Sequence, residues 1–175
     1  MARLLLPHSP TWGVAFAAEA KALSDVLCDL FLVCHHVGST AVPGILSKPI
    51  IDILGVLPDL TGIDAKSPVL EALGYQVMGE HGIPGRRYFR KTNSDGARTH
   101  HLHVYAAGSH HVERHLAFRD YLRAHPAKAA AYSALKARIV SDPAVSSYGY
   151  QDAKASFVRR VEGDALAWMR RTRTA

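Results

Sequence analysis

The sequence predicts an α+β fold in which a mixed β-sheet is packed with helices and the last third of the chain is helical. Three observations support this. Near the start, apolar residues recur at mostly four-residue steps, the period of an amphipathic helix. Short runs rich in β-branched and aromatic residues follow, separated by turns, and are typical of strands. Beyond Gly108 the helical period returns.

The first element is a predicted helix that opens at Ser9-Pro10 and runs to about Cys28. We assign its apolar stripe to the core of the fold. The stripe consists of Trp12, Phe16, Ala20, Leu23 and Leu27.

Two strands are predicted next. The run Phe31–Val37 is apolar and ends at Gly38, and a second apolar run extends from Ile50 to Val56. A short helix opened by Ser67-Pro68 and closed by Gly74 follows. The remaining predicted strands are Tyr75–Glu80, Arg87–Lys91 and Thr99–Ala106, with a hairpin turn over Asn93–Gly96.

Residues 109–175 are predicted to form a helical cap. The pattern is helical to His125, breaks at Pro126, and resumes through Val140. One face of a last helix carries Phe157, Val161, Ala165 and Trp168. The length of 175 residues and the 48% hydrophobic content are suited to one compact unit, so we expect residues 1–175 to be a single domain.

A candidate anion site follows the first strand. Gly38 can adopt a turn that aims backbone N–H groups at one point, and Ser39 and Thr40 add hydroxyl groups that suit phosphate oxygens. An ordinary Gly-Ser turn is the alternative. His36 adjoins this turn and is a candidate phosphate ligand.

Asp52 is a single carboxylate within the second apolar strand. An ionised carboxylate there costs several kcal/mol unless it is paired, hydrogen-bonded or bound to a cation. Lys48 or Arg98 could be the partner, and both are also candidate phosphate contacts. The functional alternative is Mg²⁺ held by Asp52 and phosphate oxygens.

Two imidazoles project from one face of the last predicted strand. Alternation places His101 and His103 side by side, a spacing that suits metal ligation or hydrogen bonding to phosphate. Histidines that hydrogen-bond on a polar sheet face are the alternative. With Asp52 they would form a mixed site, which favours Mn²⁺, Zn²⁺ or Ni²⁺ over Mg²⁺.

Arg86 and Arg87 follow a Pro-Gly turn and could present a guanidinium to phosphate. Because neighbouring residues of a strand face opposite ways, one of the two is expected to face the site. We favour Arg87, with Arg98 as the next candidate, and a plain surface arginine is the alternative.

The stretch from His36 to Val56 resembles the signature of the GrpB family, a branch of the nucleotidyltransferase-fold superfamily. Three later blocks are similar to that family in the same order. They are Gly85–Phe89, Arg98–Val104 and His115–Leu122. The resemblance implies a nucleotidyltransferase-like α+β fold that extends over nearly the whole chain.

The resemblance also implies a site in which Ser39 holds phosphates and Asp52 is the catalytic, metal-binding acid. The superfamily pattern has a second acid two residues after the first and a third on a later strand, where this chain has Leu54 and the pair His101 and His103. Two functions therefore stay open. One is metal-dependent nucleotidyl transfer with Mg²⁺ or Mn²⁺, and the other is a non-catalytic sensor of a nucleotide or phosphorylated small molecule.

The resemblance adds a coenzyme A precursor as a conceivable ligand, because some relatives join this domain to dephospho-coenzyme A kinase. The formal charge of +6 favours an anionic ligand. Its basic residues lack the interleaved aromatics of an RNA-binding surface, so a nucleic acid partner is not expected. No apolar run is long enough for a signal peptide or a membrane span, which predicts a cytoplasmic protein without a membrane partner.

Overall fold

The architecture is a five-stranded mixed sheet packed with helices, as the sequence predicts, and the helices lie on both of its faces. The structure is a computed structural model that describes residues 5–30, 32–145 and 149–174. Phe31, the predicted start of the first strand, lies outside the described residues, as does the segment 1–4. The assignment of 1–175 to one domain with a cap at 109–175 stays a prediction.

In chain order, one helix is followed by two strands, a short helix is followed by three strands, and three long helices complete the described fold. Their bounds are α1 Thr11–Val26, β1 Val33–Val37, β2 Ile51–Leu57, α2 Ser67–Ala72, β3 Tyr75–Val77, β4 Arg87–Thr92, β5 Arg98–Ala106, α3 His110–Ala124, α4 Pro126–Ser141 and α5 Gly149–Arg173. Short 3-10 helices cover Cys28–Leu30, Ser39–Ala41 and Asp64–Lys66.

The strand order is β1-β2-β5-β4-β3. Strands β2 and β5 pair in parallel, and the other neighbours pair antiparallel. The parallel register sets Asp52 opposite His101, and the antiparallel register sets Tyr88 opposite His103. Because paired residues share a face of the sheet, these four side chains lie on one side of it.

Helices α1 and α2 cover the opposite face. Leu23 from α1 and Leu70 from α2 are fully buried there against Ile53, Phe89 and Leu102 of the sheet. This is the main core, and alternation along β2 and β5 supplies it with apolar side chains.

Helices α3, α4 and α5 form a second core beside the first face. Val42 and Ile45, from the segment between β1 and β2, pack there with Tyr121, Tyr132 and Val161. This packing fixes the three helices next to the end of β1 and so next to Gly38 and Ser39. Within the described residues, no helix combines the length and the low polarity that a membrane span requires.

The predicted strand Tyr75–Glu80 is shorter than expected. Strand β3 ends at Val77, and the chain then turns with positive φ at Gly79 (59°) and at His81 (46°). Gly82 and Gly85 also have positive φ, so the segment leading to Arg86 forms a loop. The turn at Asn93–Gly96 is present as predicted, with Asn93 Oδ1 accepting from the amides of Asp95 and Ala97.

Candidate functional site

A cleft of about 720 Å³ lies between the open face of the sheet and helices α3 to α5. Its walls come from the end of β1, from β2, β5 and β4, and from the three helices. Among the described residues, seven basic side chains line it against two acidic ones. The basic residues are Lys48, Arg86, Arg98, Arg114, Lys136, Lys154 and Arg159, and the acidic ones are Asp52 and Glu162.

Asp52 is held by the two predicted histidines. Its Oδ1 accepts a hydrogen bond from His101 Nδ1 at 3.0 Å and lies 3.8 Å from His103 Nε2. Burial raises the pKa of Asp52, but the hydrogen bond from His101 and the nearby imidazole of His103 outweigh it and hold this pKa well below its usual range. Asp52 is therefore ionised at neutral pH.

Asp52, His101 and His103 form a triad whose hydrogen-bonding atoms are not all paired with described protein atoms. His101 Nε2 and His103 Nδ1 are buried there without a hydrogen-bond partner. One ligand atom each from Asp52, His101 and His103 lie within 4.8 Å of one another. One carboxylate and two imidazoles are a donor set that fits a transition metal better than Mg²⁺.

Gly38 packs directly against Asp52. Its backbone, with φ 71° and ψ −171°, lies in a region essentially restricted to glycine. A Cβ atom at this position would lie 3.0 Å from Asp52 Cβ and closer still to a carboxylate oxygen. Two independent constraints, the dihedral angles and the close approach, thus require a glycine.

Ser39 meets a buried lysine. Lys136 Nζ of helix α4 donates to Ser39 Oγ at 2.9 Å and lies 4.5 Å from the centre of the Tyr132 ring. Lys136 is only 2% exposed. Burial, with the like charge of Lys154, lowers the pKa of Lys136 to about 7. Within the described part of the chain, no carboxylate pairs with its amine.

Lys136 was missed by the sequence analysis, although a signal for it exists. It lies on the buried stripe of α4 with Ala129, Tyr132 and Ile139. A cation at an apolar position of a helical period is the same kind of anomaly as the acid at Asp52 in an apolar strand. Lys154 of α5, near the ring of Tyr150, was missed too.

His36 is not brought into the cleft. It pairs with Ile53 on the face covered by α1, and its ring stacks on Phe16 with centroids 4.9 Å apart. Burial lowers its pKa to about 4. The expectation that His36 rather than His35 points at the phosphate site is thus wrong. The position of His36 in β1 places its side chain on the opposite face of the sheet.

Thr40 does line the cleft, but its hydroxyl is already engaged. It donates to the carbonyl of Ile50 at 3.2 Å and lies 3.0 Å from His36 Nε2. Its contribution is therefore to fix the turn against β2, and Ser39 is the residue whose hydroxyl is directed at the cleft cations.

Arg86, not Arg87, faces the cleft. Arg87 pairs with Asp64 through Nε at 2.7 Å and with Glu80 at 3.7 Å. Alternation correctly places the two arginines on opposite sides, but the prediction that Arg87 faces the site is wrong. Phe89 is a core residue, and Arg87 lies on the same side of β4 as Phe89. Arg86 and Tyr88 lie with His103.

Arg86 is 7% exposed and holds the loop after β3. Its Nε and Nη2 donate to the carbonyls of Glu80 and His81 at 3.1 and 2.8 Å. The guanidinium also lies 4.9 Å from the centre of the Tyr88 ring. No carboxylate pairs with it among the residues that the structure describes.

Two further predicted contacts, Lys48 and Arg98, line the cleft. Lys48 Nζ lies 4.3 Å from the centre of the Tyr150 ring. Arg98 is exposed at the start of β5. Neither pairs with Asp52, whose hydrogen-bond partner is His101.

Helix α3 closes the cleft and braces the turn. Arg119 Nη1 and Arg123 Nε donate to the carbonyls of His36 and Ala41 at 3.1 and 2.9 Å, one on each side of Gly38 and Ser39. His115 lines the cleft, and its Nδ1 donates to the carbonyl of His111 at 2.7 Å. Its Nε2 is therefore left as an acceptor.

Comparison with known proteins decides the family. The GrpB family, described as GrpB protein, matches residues 4–164. The chain belongs to the GrpB family. The crystal structure of the conserved protein GrpB from Enterococcus faecalis is similar, with a TM-score of 0.89 and 38% identity over 95% of this chain and 99% of that one.

Two curated proteins are also similar in sequence. The UPF0157 protein YqkA of Bacillus subtilis is 37% identical over 164 residues, which is 94% of this chain and 47% of that protein. The UPF0157 protein PA4798 of Pseudomonas aeruginosa is 41% identical over 93% of this chain and 67% of its own length. The chain thus spans about half of the first of these relatives.

The fold is also that of nucleotidyltransferases. Cid1 in complex with its short product ApU is similar with a TM-score of 0.53 and 12% identity, over 74% of this chain and 41% of that one. The Cid1 poly(U) polymerase with MgGTP bound gives a TM-score of 0.53 at 11% identity over 76% and 43%. At this identity the likeness establishes the fold alone, and it confirms the predicted fold class.

The contact of Gly38 with Asp52 generates a prediction with a matched control. Gly38→Ala should lower the free energy of unfolding by about 3 kcal/mol or more, because strained dihedral angles and a clash add together. Gly44 also has positive φ (78°), but nothing lies within 4 Å of its added Cβ. Gly44→Ala should therefore cost only about 1–2 kcal/mol. Urea unfolding of both variants measures the difference, and equal losses would contradict the packing described.

Proposed function

We propose that the cleft binds a phosphorylated ligand of the nucleotide class together with one divalent cation. The observation that carries this proposal is the charge of the lining, with seven basic side chains against two acidic ones. Glu162 is already paired with Arg114, and Asp52 is bonded by His101. Arg86, Lys136 and Lys154 have no acid to neutralise them in the described lining, and an anionic ligand supplies that charge.

The phosphate end of the ligand is assigned to Ser39, Lys136 and Lys154. Lys136 is a nearly inaccessible cation whose amine reaches a serine hydroxyl at the edge of the cleft. An ammonium buried with a hydroxyl and an aromatic ring is costly on its own and is stabilised by a phosphate oxygen. Lys48 stands beside Tyr150 at the same end.

The cation is assigned to Asp52, His101 and His103, whose ligand atoms are mutually within 4.8 Å. When bound, a divalent ion neutralises phosphate charge and orients the phosphoryl group. Two imidazole ligands favour Mn²⁺, Zn²⁺ or Ni²⁺ over Mg²⁺.

As an enzyme, the protein would transfer a nucleotidyl group. An acceptor oxygen would bond to the α-phosphorus while the bond from that phosphorus to the bridging oxygen breaks. Pyrophosphate would leave, and the acceptor proton would pass to water in the open cleft. Lys136 and Ser39 would hold the leaving phosphates, and Asp52 would remain ionised because of its depressed pKa.

A second candidate is a sensor that binds the ligand without transferring anything. Leu54 stands where the superfamily has its second acid, and it is fully buried against Val37 and Tyr105. The cleft therefore has one carboxylate at the metal position. A two-metal arrangement, in which acids bridge both ions, is not built from the described residues.

The binding proposal is tested by calorimetric titration with Mn²⁺ and tripolyphosphate, alongside the four nucleoside triphosphates and coenzyme A precursors. Wild type should bind the polyphosphate with Mn²⁺, and Asp52→Asn should lose at least tenfold in Mn²⁺ affinity, since a carboxylate ligand is removed. Asp25→Asn, an exposed aspartate of α1 paired with Lys21, is the control and should bind as wild type. Equal Mn²⁺ binding by Asp52→Asn would remove the metal from this site.

A transfer assay with the ligands found by titration separates the two candidates. If the protein is a transferase, label on the α-phosphate of a triphosphate that binds should become attached to an acceptor, and pyrophosphate should be released. Binding without release of pyrophosphate over a full acceptor screen supports the sensor.

Lys136 makes polyphosphate binding depend on pH. Below pH 7 its amine is protonated and attracts the ligand, while above its lowered pKa of about 7 the charge is lost. The groups near it are Ser39, Tyr132, Lys154 and Asp52, and Asp52 keeps its charge over this range.

Tripolyphosphate affinity should therefore fall between pH 6 and pH 8.5 more steeply in wild type than in Lys136→Met. Lys128→Met, on the same helix at an exposed position paired with Asp164, should keep the wild-type slope. A Lys136→Met variant with the wild-type affinity and slope would show that this amine does not contact the ligand.

A further inference from the structure

His115 of helix α3 lines the cleft next to the triad. The centroid of its ring lies 5.8 Å from that of His103 and 5.9 Å from that of Tyr105. His103 Nε2 is in turn 3.8 Å from Asp52 Oδ1. A ligand group that contacts His115 therefore lies beside the residues to which the cation is assigned.

One nitrogen of His115 is fixed as a hydrogen-bond acceptor. Its Nδ1 contacts the carbonyl oxygen of His111 at 2.7 Å, and because a carbonyl only accepts, Nδ1 carries the proton. Burial lowers the pKa of His115 to about 4, so the imidazole is neutral and Nε2 keeps its lone pair. Within the part of the chain that the structure describes, no donor is bonded to Nε2.

A phosphate group does not suit this acceptor. Phosphate oxygens are themselves strong acceptors, so they would face the lone pair of Nε2 with no proton between them. Phe118, one turn further along α3, also lines the cleft, and the wall beside His115 is therefore apolar on that side. The part of a ligand that meets this wall is uncharged and carries an O–H or N–H donor.

The sugar is the part of a nucleotide that fits this position. It is bonded directly to the phosphate nearest the nucleoside, so a cation at Asp52 that binds this phosphate leaves the sugar next to the triad. Each free hydroxyl of a ribose can donate one hydrogen bond. The donors of the base are separated from the phosphates by the whole sugar ring.

We propose that His115 Nε2 accepts a hydrogen bond from a ribose hydroxyl, so that the cleft selects ribonucleotides over deoxyribonucleotides. This inference rests on the proposed function and deepens it, since it names the sugar of the ligand in the same cleft. It applies to a transferase and to a sensor alike, because it concerns binding and not bond breaking.

The test is a calorimetric titration of the full chain with Mn²⁺ and without an acceptor. ATP, GTP, CTP and UTP are compared first, and the one that binds most tightly is then compared with its 2′-deoxy and 3′-deoxy forms. We expect one deoxy form to bind wild type about tenfold more weakly than the ribonucleotide, the effect of losing one hydrogen bond. The weaker form identifies the hydroxyl.

A fluorinated nucleotide tests the direction of this hydrogen bond in wild type without any substitution. Fluorine in place of the identified hydroxyl has a similar size but no proton to donate. The fluoro form should therefore bind as weakly as the deoxy form, because Nε2 can only accept.

A substitution with a matched control then locates the contact. His115→Phe keeps a ring but removes Nε2, so it should bind the ribonucleotide and the deoxy form equally. Its affinity for tripolyphosphate, which has no sugar, should be that of wild type. His125 at the end of α3 makes the same Nδ1 contact, 2.8 Å from the carbonyl of Tyr121, but lies outside the lining. His125→Phe should keep the tenfold preference.

The failures are distinguishable. If no nucleoside triphosphate binds with Mn²⁺, the proposed function fails and the ribose contact with it. If a nucleotide binds, the ribose contact alone is overturned by any of three results. They are equal wild-type affinity for the ribonucleotide and both deoxy forms, a fluoro form that binds like the ribonucleotide, and a tenfold preference that persists in His115→Phe.

Discussion

The contact between Gly38 and Asp52 is the constraint on which the rest of the site depends. A carboxylate in the middle of an apolar strand has to be compensated, and His101 does so through a hydrogen bond of 3.0 Å. The turn after β1 then comes so close to that carboxylate that no side chain fits at position 38. Ser39 is thereby placed beside the acid, and Lys136 is brought to Ser39 by the packing of α4.

The packing of α3, α4 and α5 against the turn after β1 forms the wall of the cleft that faces this contact. The segment after Ser39 contributes Val42 and Ile45 to the core of α3, α4 and α5, so the turn and the helices are held as one unit. Arg119 and Arg123 bind main-chain carbonyls on either side of it. Cations on the inner faces of these helices therefore point at the open face of the sheet, where Asp52 and the histidines lie.

Local patterns predict the sheet, most helix limits and the central acid. Gly38, Ser39, Asp52, His101 and His103 come together as the sequence suggests, because strand alternation and parallel pairing are enough to place them on one face. The roles assigned to them stay predictions.

The errors have physical reasons. The choice between Arg86 and Arg87 depends on which face of β4 is buried, and the core position of Phe89 decides it. His36 was sent to the opposite face by the same alternation. Lys136 reaches Ser39 across 97 positions of sequence, so only the tertiary packing of α4 could reveal the contact. A lysine on an apolar helical stripe was the one local signal of it.

The measurement that tests the central claim most directly is anomalous diffraction from crystals grown with Mn²⁺ and tripolyphosphate. The account predicts one manganese peak within bonding distance of Asp52 and of at least one of His101 and His103, with phosphate density at Ser39 and Lys136. It would be contradicted by an intact hydrogen bond between Asp52 and His101 with no manganese beside it, or by polyphosphate bound elsewhere on the protein.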